Sequence, residues 1–430
     1  MKSRLIPLLA ALAAPLCGAT LPEAQQMLFA GNMDLAISAS QELQAFSALR
    51  EARGAFHPSL SVSGLYGYQS EAQTLSLDLP FLPPLEKEIG DHDRVEMGAD
   101  LTLPLFTGFS RWNAMKIRSW EMRGLEARRE ALKQRLSFQL GMLYFSHELL
   151  QKKNDAQQAL LAQLSDHLRN TRNLVEAGAA KSSRLSEAQA RFASAQAERL
   201  AIRNQADSVR LEIINFIRSP DTGLAITPYG NAPDSAEIRR LLTLEPVADR
   251  PEFTAYDCSI SQMESQKKAV AGRYWPSLSG SAGLRYGNPG LDLGGDGYMG
   301  WGVAAVALNW NLYEGMKTRS QERQAEEGLA MARLRKEKER LEWEKSVSLA
   351  RLKLIQVQEQ HAAALLSLSA SDDLVKDLKD ALDAGAATSL EYLNALSGQA
   401  NARFLVDQSI FLMKAAALSL EYAAGKEIKF

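Results

Sequence analysis

Cysteine is almost absent from this sequence. The two copies are Cys17 and Cys258. The first lies in a leader-like N-terminus whose removal leaves Cys258 alone, which excludes an intramolecular disulfide. A single thiol on a helical stretch reads as packing. Long apolar runs are missing as well. Past the N-terminus nothing approaches the roughly 18 consecutive apolar residues that a membrane-spanning helix needs; residues 410–420 come nearest, and they carry Lys414. Neither sign of charge is in excess, with 49 Lys and Arg against 51 Asp and Glu, so electrostatics give no reason to expect a nucleic-acid partner. Histidine is sparse: His57, His92, His147, His167 and His361 are scattered, without HExxH or paired spacing. No metal site or cofactor is expected.

Two short motifs imitate enzyme signatures. Gly295-Asp296-Gly297-Tyr298-Met299-Gly300 fits GxGxxG, but a dinucleotide site needs a strand before it and a helix after it. Here a strand follows, and a hairpin turn is expected. Ser265-Gln266-Lys267-Lys268 fits SxxK without the Ser-Asp-Asn and Lys-Thr-Gly elements that would accompany it. No enzymatic activity is expected.

The N-terminus itself is informative. Lys2 and Arg4 precede an apolar run over residues 5–16, followed by small residues to Ala19. This is the pattern of a secretory signal peptide, residues 1–19, cut after Ala19. Cys17 raises a lipoprotein alternative, although Ala14 stands where a lipobox has Leu and Leu16 where it has a small residue. An exported chain without an apolar helix enters a bilayer only through β-strands.

Helical periodicity, by contrast, is abundant. Leu125, Leu132, Leu136, Leu143, Leu150, Leu161, Leu164, Leu168 and Val175 recur mostly at spacings of three, four and seven. A helix of about 65 residues is on the order of 100 Å long, and a seam of that length predicts coiled-coil packing. This long helix covers 110–176, and a counterpart covers 316–382. The run 333–345 alternates in sign and reads as a solvated helix face.

Between the helices the period changes to two. A helix over 20–56 stops at Pro58; then Leu60, Val62, Gly64, Tyr66 and Tyr68 alternate with Ser59, Ser61, Ser63, Leu65 and Gly67. After a loop over 70–93 containing Pro80, Pro83 and Pro84, residues Val95, Met97, Ala99, Leu101 and Leu103 share one face, and Glu96, Gly98, Asp100 and Thr102 the other. An apolar face opposite carboxylates suits lipid outside and water inside. This hairpin, 59–106, leads into the long helix; a return helix, 182–218, ends a first repeat, 20–218. An irregular elbow, 219–248, includes a short helix at 235–242. The second repeat, 249–430, has a helix from Arg250-Pro251-Glu252, a hairpin over 277–313, the long helix, and a return helix over 389–424.

Matching words mark the duplication. Tyr274-Trp275-Pro276-Ser277-Leu278-Ser279 echoes Phe56-His57-Pro58-Ser59-Leu60-Ser61, and Leu312-Tyr313-Glu314-Gly315 echoes Leu105-Phe106-Thr107-Gly108. Asp383-Ala384-Gly385-Ala386-Ala387 echoes Glu176-Ala177-Gly178-Ala179-Ala180, and both long helices lie between glycines 70 residues apart. Leu278, Ala282, Leu284 and Tyr286 alternate with Ser277, Ser279, Ser281 and Arg285, whereas residues 301–307 are apolar on both sides and are not assigned. Glu96, Asp100 and Arg285 are candidate pore-lumen residues or simply wetted ones. Phe56, Phe106, Phe109, Trp112, Tyr274, Trp275, Trp310 and Tyr313 gather at the strand–helix joints, where an interfacial girdle belongs. Each half is expected to form two antiparallel rods topped by a hairpin. Four strands cannot close a barrel, because at least about eight are needed and open edges do not persist in lipid. Two copies would give eight strands and a filled bore, three would give twelve and room for water.

In this order the motifs resemble those of the TolC-like outer-membrane efflux proteins over essentially the whole mature chain. The residues that carry the likeness are the Pro-Ser-Leu-Ser strand starts, the two turns ending at Gly108 and Gly315, Arg250-Pro251-Glu252, and Gly385-Ala386-Ala387-Thr388-Ser389-Leu390-Glu391-Tyr392-Leu393-Asn394-Ala395. The resemblance implies a mainly α fold with a β-barrel part. It implies a homotrimer with a twelve-stranded barrel in outer-membrane lipid, continued by a periplasmic α-helical barrel. It also implies a passive exit duct, serving an inner-membrane transporter through a periplasmic adaptor docked at the helical tips: Gly178, Ala179, Ala180, Gly385, Ala386, Ala387 and Thr388. Acidic entrance positions are implied at Glu391 and Asn394, where only Glu391 keeps a carboxylate, with Arg184 and Glu187 corresponding in the first repeat. Residues that lock the closed tip in some members correspond to Arg184, Leu382 and Ala387, and none is retained. The alternative is a soluble periplasmic coiled-coil scaffold or adaptor, but no lipoyl-like or small β domain is visible between the helical arms.

Overall fold

Segments without proline and with an i, i+3, i+4 apolar seam become helices, and segments of period two become strands. The computed structural model describes residues 19–71, 74–77, 81, 85–88, 92–230, 232–247, 249–288, 290–291 and 297–430. The leader over 1–18, Pro80, Pro83, Pro84, Gly295 and Asp296 lie outside the described residues. The elements are α1 (Leu21–Gly31), α2 (Met33–Gly54), β1 (Ser59–Tyr68), β2 (Thr74–Leu77), β3 (Leu85–Glu88), β4 (Asp93–Thr107), α3 (Ser110–Glu176), α4 (Ser182–Ile217), α5 (Ser235–Leu242), α6 (Pro251–Ala271), β5 (Ser277–Asn288), β6 (Met299–Asn309), α7 (Lys317–Asp383) and α8 (Ser389–Ala423). Both long helices, α3 and α7, have 67 residues. No described helix is long and apolar enough to cross a membrane.

The chain divides into two compact units. One, the sheet unit, is Ser40–Arg128 with Glu252–Lys338; the other, the helical unit, is Met1–Ala39, Arg129–Pro251 and Glu339–Phe430.

In the sheet unit four antiparallel strands stand in the order β1-β4-β5-β6. Register assigns the faces, because residues directly opposite share a side. Ser63 lies opposite Gly98, Gly98 opposite Arg285, and Arg285 opposite Trp301. The polar side therefore gathers Ser59, Ser61, Ser63, Arg94, Glu96, Asp100, Thr102, Ser277, Ser279, Ser281 and Arg285. The other side gathers Leu60, Val62, Tyr66, Met97, Leu101, Leu284, Val306 and Leu308. For β6, where the sequence is apolar on both faces, pairing with β5 settles the matter: Trp301, Val303, Ala305, Ala307 and Asn309 join the polar side.

The helical unit is held by three apolar clusters. Leu21 and Leu28 of α1 pack with Leu136 and Leu140 of α3, Ile213 and Ile217 of α4, and Leu418 of α8. Ile238 and Leu241 of α5 cover Val347, Leu354 and Val357 of α7 with Met413 and Leu420 of α8. Leu160 and Leu164 of α3, Ala195 of α4, Val375 of α7, and Leu393 and Leu396 of α8 form the third. Each fully buried leucine contributes on the order of 1.5–3 kcal/mol, so the clusters, not helix propensity, hold the four rods together.

Three details differ from the sequence expectation. The stretch 20–56 is two helices, because Asn32 adopts an extended backbone and its Oδ1 accepts from the Asp34 and Leu35 amides, restarting the helix as an N-cap. The loop 70–93 contains the β2–β3 hairpin. Strand β6 stops at Asn309 rather than 313, since among the described residues no strand lies beside 310–313. The charge run is an exposed helix face, as its alternating sign predicts, and Arg333 and Lys336 make exposed pairs with Glu264 and Asp257 of α6.

Candidate functional site

Two groups of residues were singled out by sequence, one in each unit. In the helical unit the tips turn identically. Gly178 and Gly385 both have φ of +74°, the left-handed region that glycine adopts without strain. Ala179 N donates to Leu174 O, and Ala386 N to Ala381 O, both at 2.8 Å. Gly178, Ala179, Gly385, Ala386 and Thr388 are exposed, and Ala180 and Ala387 are half-buried.

The helices leaving the two tips start differently. On α8, Thr388 and Glu391 form a capping box: Glu391 N donates to Thr388 Oγ1 at 3.2 Å, and the Glu391 carboxylate accepts from Thr388 N at 2.8 Å. The hydrogen bond from the Thr388 backbone, then that from its hydroxyl, holds the Glu391 carboxyl below its usual range. On α4 the matching positions are Lys181 and Arg184, and Lys181 makes no side-chain cap. Arg184 is exposed and Glu187 half-buried. Asn394 is exposed, and its Oδ1 accepts from Arg191 of α4 at 3.1 Å.

Behind this face lies a histidine that its isolated place in the sequence did not reveal. His167 Nε2 is 2.9 Å from Ser389 Oγ and 3.4 Å from Thr171 Oγ1, and its ring lies 5.8 Å from that of Tyr392. Burial lowers the His167 pKa, against the opposing pull of Glu187. His167 thus ties the base of the second tip to α3. Arg250 of the Arg-Pro-Glu word is buried against the end of α8, donating to Ala423 O at 3.2 Å and lying over Trp343 and Tyr422. A cation suits that helix terminus.

In the sheet unit Glu96, Asp100 and Arg285 are brought together. Arg285 reaches Asp100 at 2.7 Å and Glu96 at 3.2 Å, and Glu96 also pairs with Arg94 at 2.9 Å. The strand register leaves glycine under each long side chain: Gly98 faces Arg285, and Gly283 faces Asp100. A methyl on Gly98 would lie 2.6 Å from the guanidinium, so the side chains lie flat along the sheet only because nothing stands beneath them. The ladder is neutral within the chain. Ser265 of the SxxK word has its hydroxyl committed to Ser261 O at 2.9 Å, a helix back-bond rather than a nucleophile's arrangement.

Comparison with known proteins agrees with this architecture. The family model described as "Outer membrane efflux protein" matches residues 25–216 and 246–424, one segment in each half of the duplication. No curated protein matches by sequence. Among solved structures, the outer membrane protein VceC of Vibrio cholerae superimposes with a TM-score of 0.76 at 16% identity, covering 94% of this chain and 96% of that one. The Campylobacter jejuni CmeC outer membrane channel gives 0.78 at 13%, covering 95% and 86%. The open state of the Neisseria gonorrhoeae MtrE outer membrane channel gives 0.73 at 14%, covering 95% and 89%. Identities this low speak for the fold, and the family match speaks for descent: the chain belongs to the outer membrane efflux protein family, a family of outer-membrane channels with large periplasmic helical parts.

Proposed function

We propose that, once its leader is removed, this chain assembles as three copies that close a twelve-stranded barrel in the outer membrane and continue as a helical conduit in the periplasm. The assembly is a passive exit duct, supplied by an inner-membrane transporter through a periplasmic adaptor seated on the tips at 178–180 and 385–388. The single observation that carries this reading is the four-stranded sheet. Its outer strands β1 and β6 each have one neighbour, and its apolar side is bare, with Leu60, Val62 and Leu308 exposed to 71%, 80% and 66%. Such a surface suits lipid, and open edges in lipid leave backbone groups without partners at several kcal/mol each by order of magnitude. More copies must supply the missing strands.

The helical unit supports the same reading. Leu341, Leu349, Leu352, Ile355 and Leu366 of α7 are all exposed, an apolar stripe that neighbouring copies would cover. In a trimer Glu391 contributes one carboxylate per copy to the periplasmic mouth, with Arg184, Glu187 and Asn394 beside it. The side carrying Arg94, Glu96, Asp100 and Arg285 faces the water of the bore, and the joint aromatics form the interfacial girdle. Purified protein reconstituted into planar bilayers is expected to give stepwise ion conductance. Material that fractionates as a soluble periplasmic protein and conducts nothing contradicts the reading.

A further inference from the structure

The chain contains its own template for the missing contact between copies. Shifting β1 by 218 residues gives β5, and shifting β4 by 207 gives β6, as the two Pro-Ser-Leu-Ser words and the match of Phe106-Thr107-Gly108 with Tyr313-Glu314-Gly315 require. The ladders obey the same shifts. Ser59 lies opposite Thr102 and Ser277 opposite Asn309; Tyr66 lies opposite Val95 and Leu284 opposite Gly302. The two hairpins therefore repeat residue for residue.

A third ladder, β4 with β5, joins the hairpins. It runs on to Thr107 opposite Ser277, past an irregularity between Pro104 and Phe106. The same step in the second half would join β6 to a strand beyond it, and none stands there among the described residues. Residues 310–314, the counterparts of 103–107, have no strand partner among the described residues.

The backbone at the joint repeats this pattern. Gly108 has φ of +57° and Gly315 of +59°, each followed by a left-handed residue, Phe109 or Met316. Gly108 is buried against Gly272, the residue four before Pro276, and a methyl on either would collide with the carbonyl of the other. The counterparts are Gly315 and Gly54, the latter four before Pro58. Both are exposed, with nothing near them. A clasp filled on one side of the repeat stands empty on the other.

We infer that β6 of one copy pairs with β1 of the next in the β4–β5 register, with Gly315 and Gly54 of neighbouring copies closing the joint as Gly108 and Gly272 do within the chain. Thr102 opposite Ser281 becomes Asn309 opposite Ser63 of the next copy, and Leu101 opposite Ala282 becomes Leu308 opposite Gly64. Asn309 and Ser63 both lie on the polar side, and Leu308 and Gly64 both on the apolar side, so the barrel closes without exchanging faces. A slip of one residue would turn every side chain of β1 around. A slip of two would keep the faces but take the glycines out of reach. This inference rests on the closure proposed above and adds its register.

Disulfide trapping tests it. In a Cys258→Ser background, Ser63→Cys with Asn309→Cys is oxidised in isolated outer membranes and compared with the slipped pairs Ser61→Cys and Leu65→Cys, each with Asn309→Cys. Directly opposite Cβ atoms lie within about 5.5 Å and diagonal ones near 7–8 Å, which a disulfide does not span. Covalent dimers and trimers at least about tenfold more abundant for the 63/309 pair are expected. Preferential trapping of a slipped pair, or none at 63/309 while the native mass remains trimeric, overturns the register. A monomeric native mass instead overturns the closure itself. Gly54→Leu meets open space within one copy, so normal folding is expected together with trimers that dissociate in detergent at lower temperature. Unchanged trimer dissociation overturns the glycine clasp.

Discussion

The Lys414 ammonium lies 2.9 Å from one oxygen of Glu148 and 3.0 Å from the other, joining α8 to α3 across 266 residues of sequence. The same group donates to Gly230 O at 2.9 Å and Tyr229 O at 3.1 Å, and so pins the elbow between α4 and α5 to both helices. Only 5% of the lysine side chain and 18% of the glutamate side chain is exposed. Desolvating two such charges costs nearly what their attraction returns, but removing one leaves the other stranded.

Lys414→Met is therefore expected to destabilise the fold by about 3–5 kcal/mol, read from thermal or denaturant unfolding of the solubilised protein. Adding Glu148→Leu should recover most of the loss. A single mutant as stable as the parent would place the pair outside the structure's essential contacts.

Glu391 has two tasks under this account, capping α8 and charging the mouth. Thr388→Ala is expected to weaken the start of α8 by about 1 kcal/mol, seen as faster hydrogen exchange over residues 389–392, with ion selectivity retained. Glu391→Gln is expected to reduce cation preference in single-channel recordings, because a ring of charge in a narrow opening focuses the field. Unchanged selectivity would move Glu391 off the mouth. Since its pKa is lowered in the folded chain, the carboxylate's contribution is present above the usual carboxylate range and is lost as pH falls through the lowered value.

His167 gives the tip a second pH dependence, in a different window. Its folded pKa is lowered by burial, so the unfolded tip takes up a proton first as pH falls from about 6.5. Stability is complete above that value and declines below it until the folded ring also protonates. Glu187 of α4 limits the decline, while the Ser389, Thr171 and Tyr392 side chains facing the ring are neutral. Limited proteolysis at the tips should accelerate as pH falls below about 6.5 in the parent, and His167→Gln should flatten that dependence. An identical profile in the variant would remove His167 from it.

Arg285 neutralises a strand pair that otherwise carries Glu96 and Asp100. Arg285→Gln is expected to leave one uncompensated negative charge per copy and to shift the reversal potential toward cations, by roughly several-fold in permeability ratio. Asp100→Asn should shift it the opposite way. No change in either variant would put this side of the sheet away from the bore.

The sequence made the duplication and most strand faces legible because period two and the repeated words are local signals. The faces of β6 were illegible: Val303, Ala304, Ala305 and Val306 offer no contrast, and only the hydrogen-bonded neighbour β5 assigns them. Lys414 inside an apolar run spoke only against a membrane-spanning helix, and nothing local points to its burial or to Glu148. Asn32 is the reverse case, a local N-cap signal lost among good helix formers. The Thr388-x-x-Glu391 spacing is a readable capping box, whereas His167 acquires its partners only through helix packing.

The most direct test is the native mass of the protein extracted from outer membranes in mild detergent. The account predicts three copies in one particle, resistant to dilution because each supplies a third of a closed sheet. A stable single copy, with β1 and β6 unpaired in the detergent, would contradict it.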